Sequence, residues 1–122
     1  MRMDSVICIV DDDKDVRESI GTFFRSAGVA VKGFDAAEAL LASPELAAMD
    51  ILITDLHMSG MDGLDLQREL TRQGRRVPVI LMTAYPTPEV REMADALGVS
   101  LFVEKPVDPE VLLDELETLL AI

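Results

Sequence analysis

The chain has 122 residues, of which 49% are hydrophobic and 28% are charged, and its formal net charge is −12. This length suits one domain with a substantial core, and the apolar runs are too short to span a membrane. The acidic balance argues against direct binding of nucleic acid, which depends on neutralising phosphates. We therefore expect a single domain over residues 1–122, located in the cytoplasm, with a partner whose surface is basic or mixed.

Extended and helical patterns alternate along the first half of the chain. SVICIV is a continuous apolar run, typical of a strand covered on both faces, and we expect its cysteine, Cys8, to be a small buried hydrophobe. From Lys14 the apolar residues recur with a helical period. The predicted elements are a strand at 5–10, a helix from 14 to Gly28, a strand at 29–34, a short helix at 36–41 ending near Ser43-Pro44, and a strand at 50–54.

The second half repeats this alternation after a loop, HMSGMDG. Thr87-Pro88-Glu89 is a strong helix start, because it combines a hydroxyl cap, a proline at the first helical position and an early acid. The predicted elements are a helix through Leu64 to Gly74, a strand at 77–83, a helix from Thr87 to Gly98, a strand at 100–103 and a last helix from Asp108. Five such units predict an α/β fold, a doubly wound five-stranded parallel sheet with five helices on its two faces.

Polar residues gather where the predicted strands end. In such sheets, ligands bind at the carboxyl ends of the strands, and these ends carry Asp11-Asp12-Asp13, Asp55, Thr83 and Glu104-Lys105-Pro106. Clustered carboxylates suit Mg²⁺, and Asp55 beside a cation and a lysine would attack an activated phosphorus. Thr83 would donate a hydrogen bond to the bound phosphoryl group, whereas Asp13 is best explained as a helix cap.

Four motifs in this order carry a family resemblance: IVDDDKDVR, LITDLHMSGMDG, ILMTA and FVEKP. Together they resemble the CheY-like receiver domain of two-component response regulators, over essentially the whole chain. The first two look most like receivers attached to FixJ-type transcription factors or to hybrid kinases. The resemblance implies a flavodoxin/CheY-like sheet with strand order 2-1-3-4-5.

The resemblance also implies a magnesium site and a phosphoacceptor. Asp11 and Asp12 match the acidic pair, with Asp12 binding Mg²⁺ directly and Asp11 mainly through water. Asp55 matches both a metal ligand and the residue that accepts the phosphoryl group from a phosphohistidine of a sensor histidine kinase or phosphotransfer protein. His57 would offer its backbone carbonyl to the metal.

Three further positions match residues that assist and transmit phosphorylation in this family. Thr83 matches the hydroxyl residue, and Lys105 matches the lysine whose bond to the following Pro106 is typically cis. Phe102 falls at the switch aromatic, so phosphorylation would change the surface around Thr83 and Phe102. Ser59 departs from the family, which more often has proline there.

Two alternatives remain open at this point. Asp11 and Asp13 form the D-x-D of haloacid dehalogenase-like phosphatases, but Asp15 stands where that family has threonine or valine. The other alternative is a receiver fold that acts as an interaction module without phosphorylation.

The family resemblance alone implies the activity of the domain, its bacterial origin and its effector. It implies a bacterial signalling domain rather than an ordinary enzyme, one that catalyses its own phosphorylation and slow dephosphorylation. The domain would stand alone or be cut from a longer regulator, with an effector domain or downstream protein that regulates transcription. The resemblance also allows a homodimer to form on phosphorylation.

Overall fold

The computed structural model of the chain describes residues 5–120, in which strands and helices alternate. The strands are β1 (Ile7–Val10), β2 (Val31–Phe34), β3 (Ile51–Asp55), β4 (Val79–Thr83) and β5 (Leu101–Glu104). The helices are α1 (Lys14–Ser26), α2 (Ala37–Leu41), α3 (Glu45–Ala48), α4 (Gly63–Arg72), α5 (Pro88–Ala96) and α6 (Pro109–Leu120). No helix within this range is long and apolar enough to cross a membrane.

The five strands form one parallel sheet in the order β2-β1-β3-β4-β5, which confirms the predicted topology. Ile7 of β1 pairs with Val31 on one side and with Ile51 on the other. The chain therefore places β2 on one side of β1 and then reverses, placing β3, β4 and β5 in turn on the other side. Ligands bind such sheets at this reversal, outside the carboxyl ends of the strands.

The sheet is covered on both faces because alternate residues of each strand point to opposite sides. Ile7 and Ile9 of β1 join one buried cluster, which includes residues of α1 and α6. Cys8 and Val10 join the other, which includes residues of α2 and α4. Cys8 is fully buried, as expected, and burial raises the pKa of its thiol to about 11.

A glycine follows the end of helix α1, as the sequence predicted: Gly28 lies two residues beyond Ser26. Gly28 has a φ of 82°, and its amide donates to the carbonyl of Arg25 at 3.0 Å. The next amide, of Val29, donates to the carbonyl of Phe24 at 2.8 Å. Glycine adopts this left-handed backbone at little cost, so it closes the helix and releases the chain toward β2.

Within residues 5–120 the structure has six helices, one short helix more than the five predicted. A single helix was expected before β3, whereas the structure has α2, a break at Ser43-Pro44, and α3. Pro44 has no N–H to continue the first helix, and at the start of the second the Ser43 hydroxyl accepts a hydrogen bond from the amide of Glu45 at 3.1 Å. The extra turn lies away from the polar strand ends.

Candidate functional site

The ends of the strands bring four polar side chains to one edge of the sheet. Asp11 directly follows β1, Asp55 is the last residue of β3, Thr83 is the last of β4, and Lys105 directly follows β5. Asp11 and Thr83 are fully buried, and Asp55 is 5% exposed. Carboxylates are rarely buried unless they are paired, so these positions indicate a site rather than a solvated rim.

Lys105 connects two of the carboxylates. Its Nζ lies 2.9 Å from Oδ2 of Asp11 and 3.1 Å from Oδ1 of Asp55. The backbone amide of Lys105 donates to the carbonyl of Thr83 at 2.8 Å, and its bond to Pro106 is cis, as the resemblance implied. One ammonium group thus joins the ends of β1 and β3 from the far side of β4.

The pKa values of Asp55 and Lys105 are both raised above their ordinary values. Burial, and then the nearby charge of Asp11, raise the pKa of Asp55, although the hydrogen bond from Lys105 opposes the shift. Burial alone would lower the pKa of Lys105, but its hydrogen bonds to Asp11 and Asp55 outweigh burial and raise it. Lys105 is therefore a stable cation at neutral pH.

Carboxylate oxygens of Asp11, Asp12 and Asp55 lie within 4.8 Å of one another. Asp11 is held on both oxygens, because Oδ1 accepts from the amide of Asp13 at 2.9 Å and Oδ2 contacts Lys105. Asp12, in contrast, is exposed. A compact set of hard oxygen ligands with an open side fits Mg²⁺, which keeps several waters and uses few carboxylates.

The third aspartate has a structural role, as predicted. Asp13 caps α1, since its Oδ1 accepts from the amide of Asp15 at 2.9 Å and from that of Val16 at 3.4 Å. These hydrogen bonds hold the Asp13 side chain at the start of α1, and Asp13 is not among the carboxylates whose oxygens lie within 4.8 Å of one another. The run of three aspartates therefore divides into a buried carboxylate, an exposed one and a helix cap.

The loops beyond β3 and β4 meet above this edge. Oγ1 of Thr83 accepts a hydrogen bond from the amide of Tyr85 at 3.0 Å. The Tyr85 ring is 71% exposed and stands edge-on to the ring of His57, with centroids 5.9 Å apart. The His57 side chain is also exposed, so the structure gives it an aromatic neighbour rather than a place among the carboxylates.

Phe102 is not part of the carboxylate cluster. It lies on β5 opposite Leu81 of β4 and is partly buried against a small apolar cluster that includes Leu56 and Ala94. The guanidinium of Arg91 lies over its ring, 4.5 Å from the centroid, which is a favourable cation–π distance. Thr83 and Phe102 thus lie on neighbouring strands.

The sequence reasoning missed two residues of this region. Arg17 of α1 donates from Nη1 to the main-chain carbonyl of Asp11 at 2.6 Å. Gly63 begins α4, and a Cβ added there would lie 2.5 Å from the carbonyl oxygen of Asp55. The last glycine of HMSGMDG was a signal for the second, because glycine often marks a close approach of two backbones.

The arrangement supports chemistry on a group with negative charge. A carboxylate that is held through one oxygen can act as a nucleophile through the other. The ammonium of Lys105 is fixed beside it and would stabilise negative charge on a bound group. The edge therefore combines a candidate nucleophile, a fixed cation and a candidate metal site.

Comparison with known proteins gives a consistent result. A family model for the response regulator receiver domain matches residues 7–117. Response regulator protein TmoT of Ectopseudomonas mendocina is 38% identical over 117 residues, which cover 96% of this chain and 53% of that protein. Transcriptional regulatory protein FixJ of Azorhizobium caulinodans is 36% identical over 100 residues, which cover 82% of this chain and 47% of that protein.

Solved structures agree with these sequence matches. Chemotaxis protein CheY4 of Vibrio cholerae has a TM-score of 0.87 at 26% identity, covering 95% of this chain and 98% of that one. FixJ-N has a TM-score of 0.83 at 34% identity, covering 96% of this chain and 93% of that one. The chain spans about half the length of the curated relatives that it matches. With the family model matching nearly the whole chain, it belongs to the response regulator receiver domain family.

Proposed function

We propose that this domain accepts a phosphoryl group on Asp55 from the phosphohistidine of a sensor histidine kinase or a phosphotransfer protein, with Mg²⁺ bound. The observation that carries the proposal is the contact of the buried Asp55 with Lys105, 3.1 Å between Oδ1 and Nζ, beside the oxygens of Asp11 and Asp12. Among these three carboxylates, Asp55 alone is buried at the end of a central strand and has an oxygen available to attack phosphorus.

In the proposed step, an oxygen of Asp55 forms a bond to phosphorus while the phosphorus–nitrogen bond of phosphohistidine breaks. The imidazole nitrogen keeps the electron pair of the broken bond. Lys105 stabilises the charge on the phosphoryl oxygens during transfer and afterwards. Asp12, Asp55 and the carbonyl of His57 would hold Mg²⁺ directly and Asp11 through water, and the ion would supply further charge neutralisation.

Transfer is proposed to change the surface around Thr83 and Phe102. A hydroxyl has one hydrogen to donate, and the Thr83 oxygen already accepts from Tyr85. Donation to the phosphoryl group would favour one arrangement of the loop after β4 and of the neighbouring Phe102. A ligand shifts such an equilibrium only through contacts that differ between the two states.

We further infer that the output is control of transcription through an effector domain or a downstream protein, in the bacterial cytoplasm. Support comes from the relatives, which include a protein named as the transcriptional regulatory protein FixJ. In that proposal the domain receives the signal, and the effector segment or partner, not this acidic domain, contacts nucleic acid.

Phosphorylation with acetyl phosphate and Mg²⁺, read by intact mass, tests the assignment of Asp55. The wild type should gain the mass of one phosphoryl group, and Asp55→Asn should gain none, because an amide is a poor nucleophile. Asp35→Asn is the matched control, since Asp35 follows β2 at the same edge and is exposed; it should label normally. Full labelling of Asp55→Asn would show that another residue is the phosphoacceptor.

The same experiment separates the alternative functions. An interaction module that works without phosphorylation would label in no variant and under no condition. A dehalogenase-like phosphatase would lose its label in Asp11→Asn and keep it in Asp55→Asn. The structure disfavours that chemistry, because both oxygens of Asp11 are already engaged and Asp13 caps α1.

A further inference from the structure

Arg17 makes a contact with the acidic edge that the proposed phosphotransfer does not use. It lies on α1 and its Nη1 donates to the main-chain carbonyl of Asp11 at 2.6 Å. Its side chain is partly buried and runs beside β2, since a Cβ added to Gly33 would lie 3.7 Å from Cδ of Arg17. The guanidinium is therefore held in place by the packing of its stem.

The contact acts on the backbone between two aspartates. The carbonyl of Asp11 and the amide of Asp12 belong to one planar peptide unit. A bond that fixes this carbonyl also fixes the direction in which the chain enters Asp12. The side chain of Asp11 has its own anchors, Asp13 and Lys105, whereas no donor within residues 5–120 holds the carboxylate of Asp12. The position of Asp12 thus depends on its backbone.

Arg17 also brings positive charge to the edge without occupying a carboxylate oxygen. Lys105 takes up one oxygen each of Asp11 and Asp55, so a second cation bound in that manner would compete with a metal. The guanidinium of Arg17 is planar and always charged. Because it binds a backbone carbonyl, it adds positive charge and leaves the carboxylate oxygens available to a metal.

We propose that Arg17 is a positioning residue for the metal site: its hydrogen bond to the Asp11 carbonyl orients the peptide that aims the Asp12 carboxylate at Asp11 and Asp55. This inference rests on the proposed magnesium site. It predicts that loss of Arg17 weakens Mg²⁺ binding although the variant gains net negative charge.

The direction of the change in Mg²⁺ affinity separates a positioning role from a purely electrostatic one. If Arg17 acted only as a nearby positive charge, removing it would strengthen the binding of a cation. Isothermal titration with Mg²⁺ alone, without a phosphodonor, should give a Kd about 10-fold higher for Arg17→Met, the scale seen when groups that orient metal ligands are removed. The matched control is Lys14→Met, which removes an exposed cation at the start of the same helix; its Kd should be unchanged or lower.

The backbone effect has a readout that needs no metal. The ¹⁵N–¹H signal of Asp12 reports on the peptide unit that Arg17 contacts, so it should move in metal-free Arg17→Met and stay in place in Lys14→Met. Arg17→Lys keeps the net charge and one donor nitrogen, and should recover part of the affinity. If Arg17→Met does not fold, a Kd of Arg17→Lys above that of the wild type supports the proposal and an equal Kd overturns it.

The outcomes distinguish this inference from the proposed function. Wild type that binds Mg²⁺ together with Arg17→Met that binds it equally well or better would overturn the positioning role alone. Wild type that binds no Mg²⁺ would overturn both.

Discussion

At the scale of single residues, the site holds one fixed ammonium among three carboxylates. Lys105 contacts Asp11 and Asp55, and Asp12 lies close to both. The edge therefore keeps a net negative charge in a partly buried setting, where charge repulsion is costly. This imbalance is what a bound cation would relieve.

The buried carboxylate of Asp55 should cost the metal-free fold some stability at neutral pH. Burial, and then Asp11, raise its pKa above the ordinary 3.8, so the folded protein binds this proton more tightly than the unfolded chain. The free energy of unfolding therefore falls as the pH rises through the pKa of folded Asp55. Asp55→Asn cannot ionise there, and in EDTA it should be more stable than the wild type at neutral pH.

Urea unfolding at a series of pH values tests this prediction. The advantage of Asp55→Asn should shrink as the pH falls toward 3.8, because the wild-type carboxyl is then protonated. A wild type that is the more stable protein at neutral pH would mean that the contact with Lys105 outweighs burial and repulsion.

At the scale of elements, the start of α1 explains why three aspartates stand in a row. Asp11 is buried directly after β1, Asp12 is exposed, and Asp13 caps the helix. Local rules predicted the cap, because an aspartate before a helical pattern accepts hydrogen bonds from the first amides. They did not predict that Arg17, one turn into the helix, reaches back to Asp11.

Asp13→Ala should weaken the fold without removing the proposed metal site. Losing the two bonds to the amides of Asp15 and Val16 should lower the free energy of unfolding by about 1 kcal/mol. Asp13→Asn keeps the capping oxygen and should remain close to the wild type. Both variants should keep the thermal response to Mg²⁺, and loss of that response in Asp13→Ala would place Asp13 among the metal ligands.

At the scale of the whole molecule, a cation at the edge should stabilise the fold. A ligand that binds the folded state and not the unfolded chain adds about 2.7 kcal/mol once its concentration reaches about 100 times its Kd. Thermal melts should therefore show that millimolar Mg²⁺ raises the Tm of the wild type.

Asp12→Ala provides the matching variant for this measurement. It removes an exposed carboxylate from the cluster, and with it both charge repulsion and a proposed ligand of the metal. The metal-free variant should melt at or above the temperature of the metal-free wild type, and added Mg²⁺ should leave its Tm unchanged. A full Mg²⁺ response in Asp12→Ala would contradict the assignment of the metal site.

Much of the architecture was predictable because its signals are local. The apolar run before Asp11, the helical period after Lys14 and the glycine at 28 each act within a few residues, and the structure confirms the elements they predicted. The strand order came from the family resemblance rather than from these patterns. Helix α3 (Glu45–Ala48) was missed because its 4 residues are too few to give a periodic pattern.

The polar residues that end the strands can be identified from the sequence, because each apolar run and its limits lie within one short segment of the chain. Which of their atoms come into contact depends on the tertiary structure. Lys105 and Asp11 are 94 positions apart in the sequence. Their contact depends on the places that β1, β3 and β5 take in one sheet. The contacts of Arg17 and Gly63 with backbone carbonyls depend likewise on packing between elements. Every residue has a backbone carbonyl, so the sequence does not show which carbonyl a side chain or a glycine will approach.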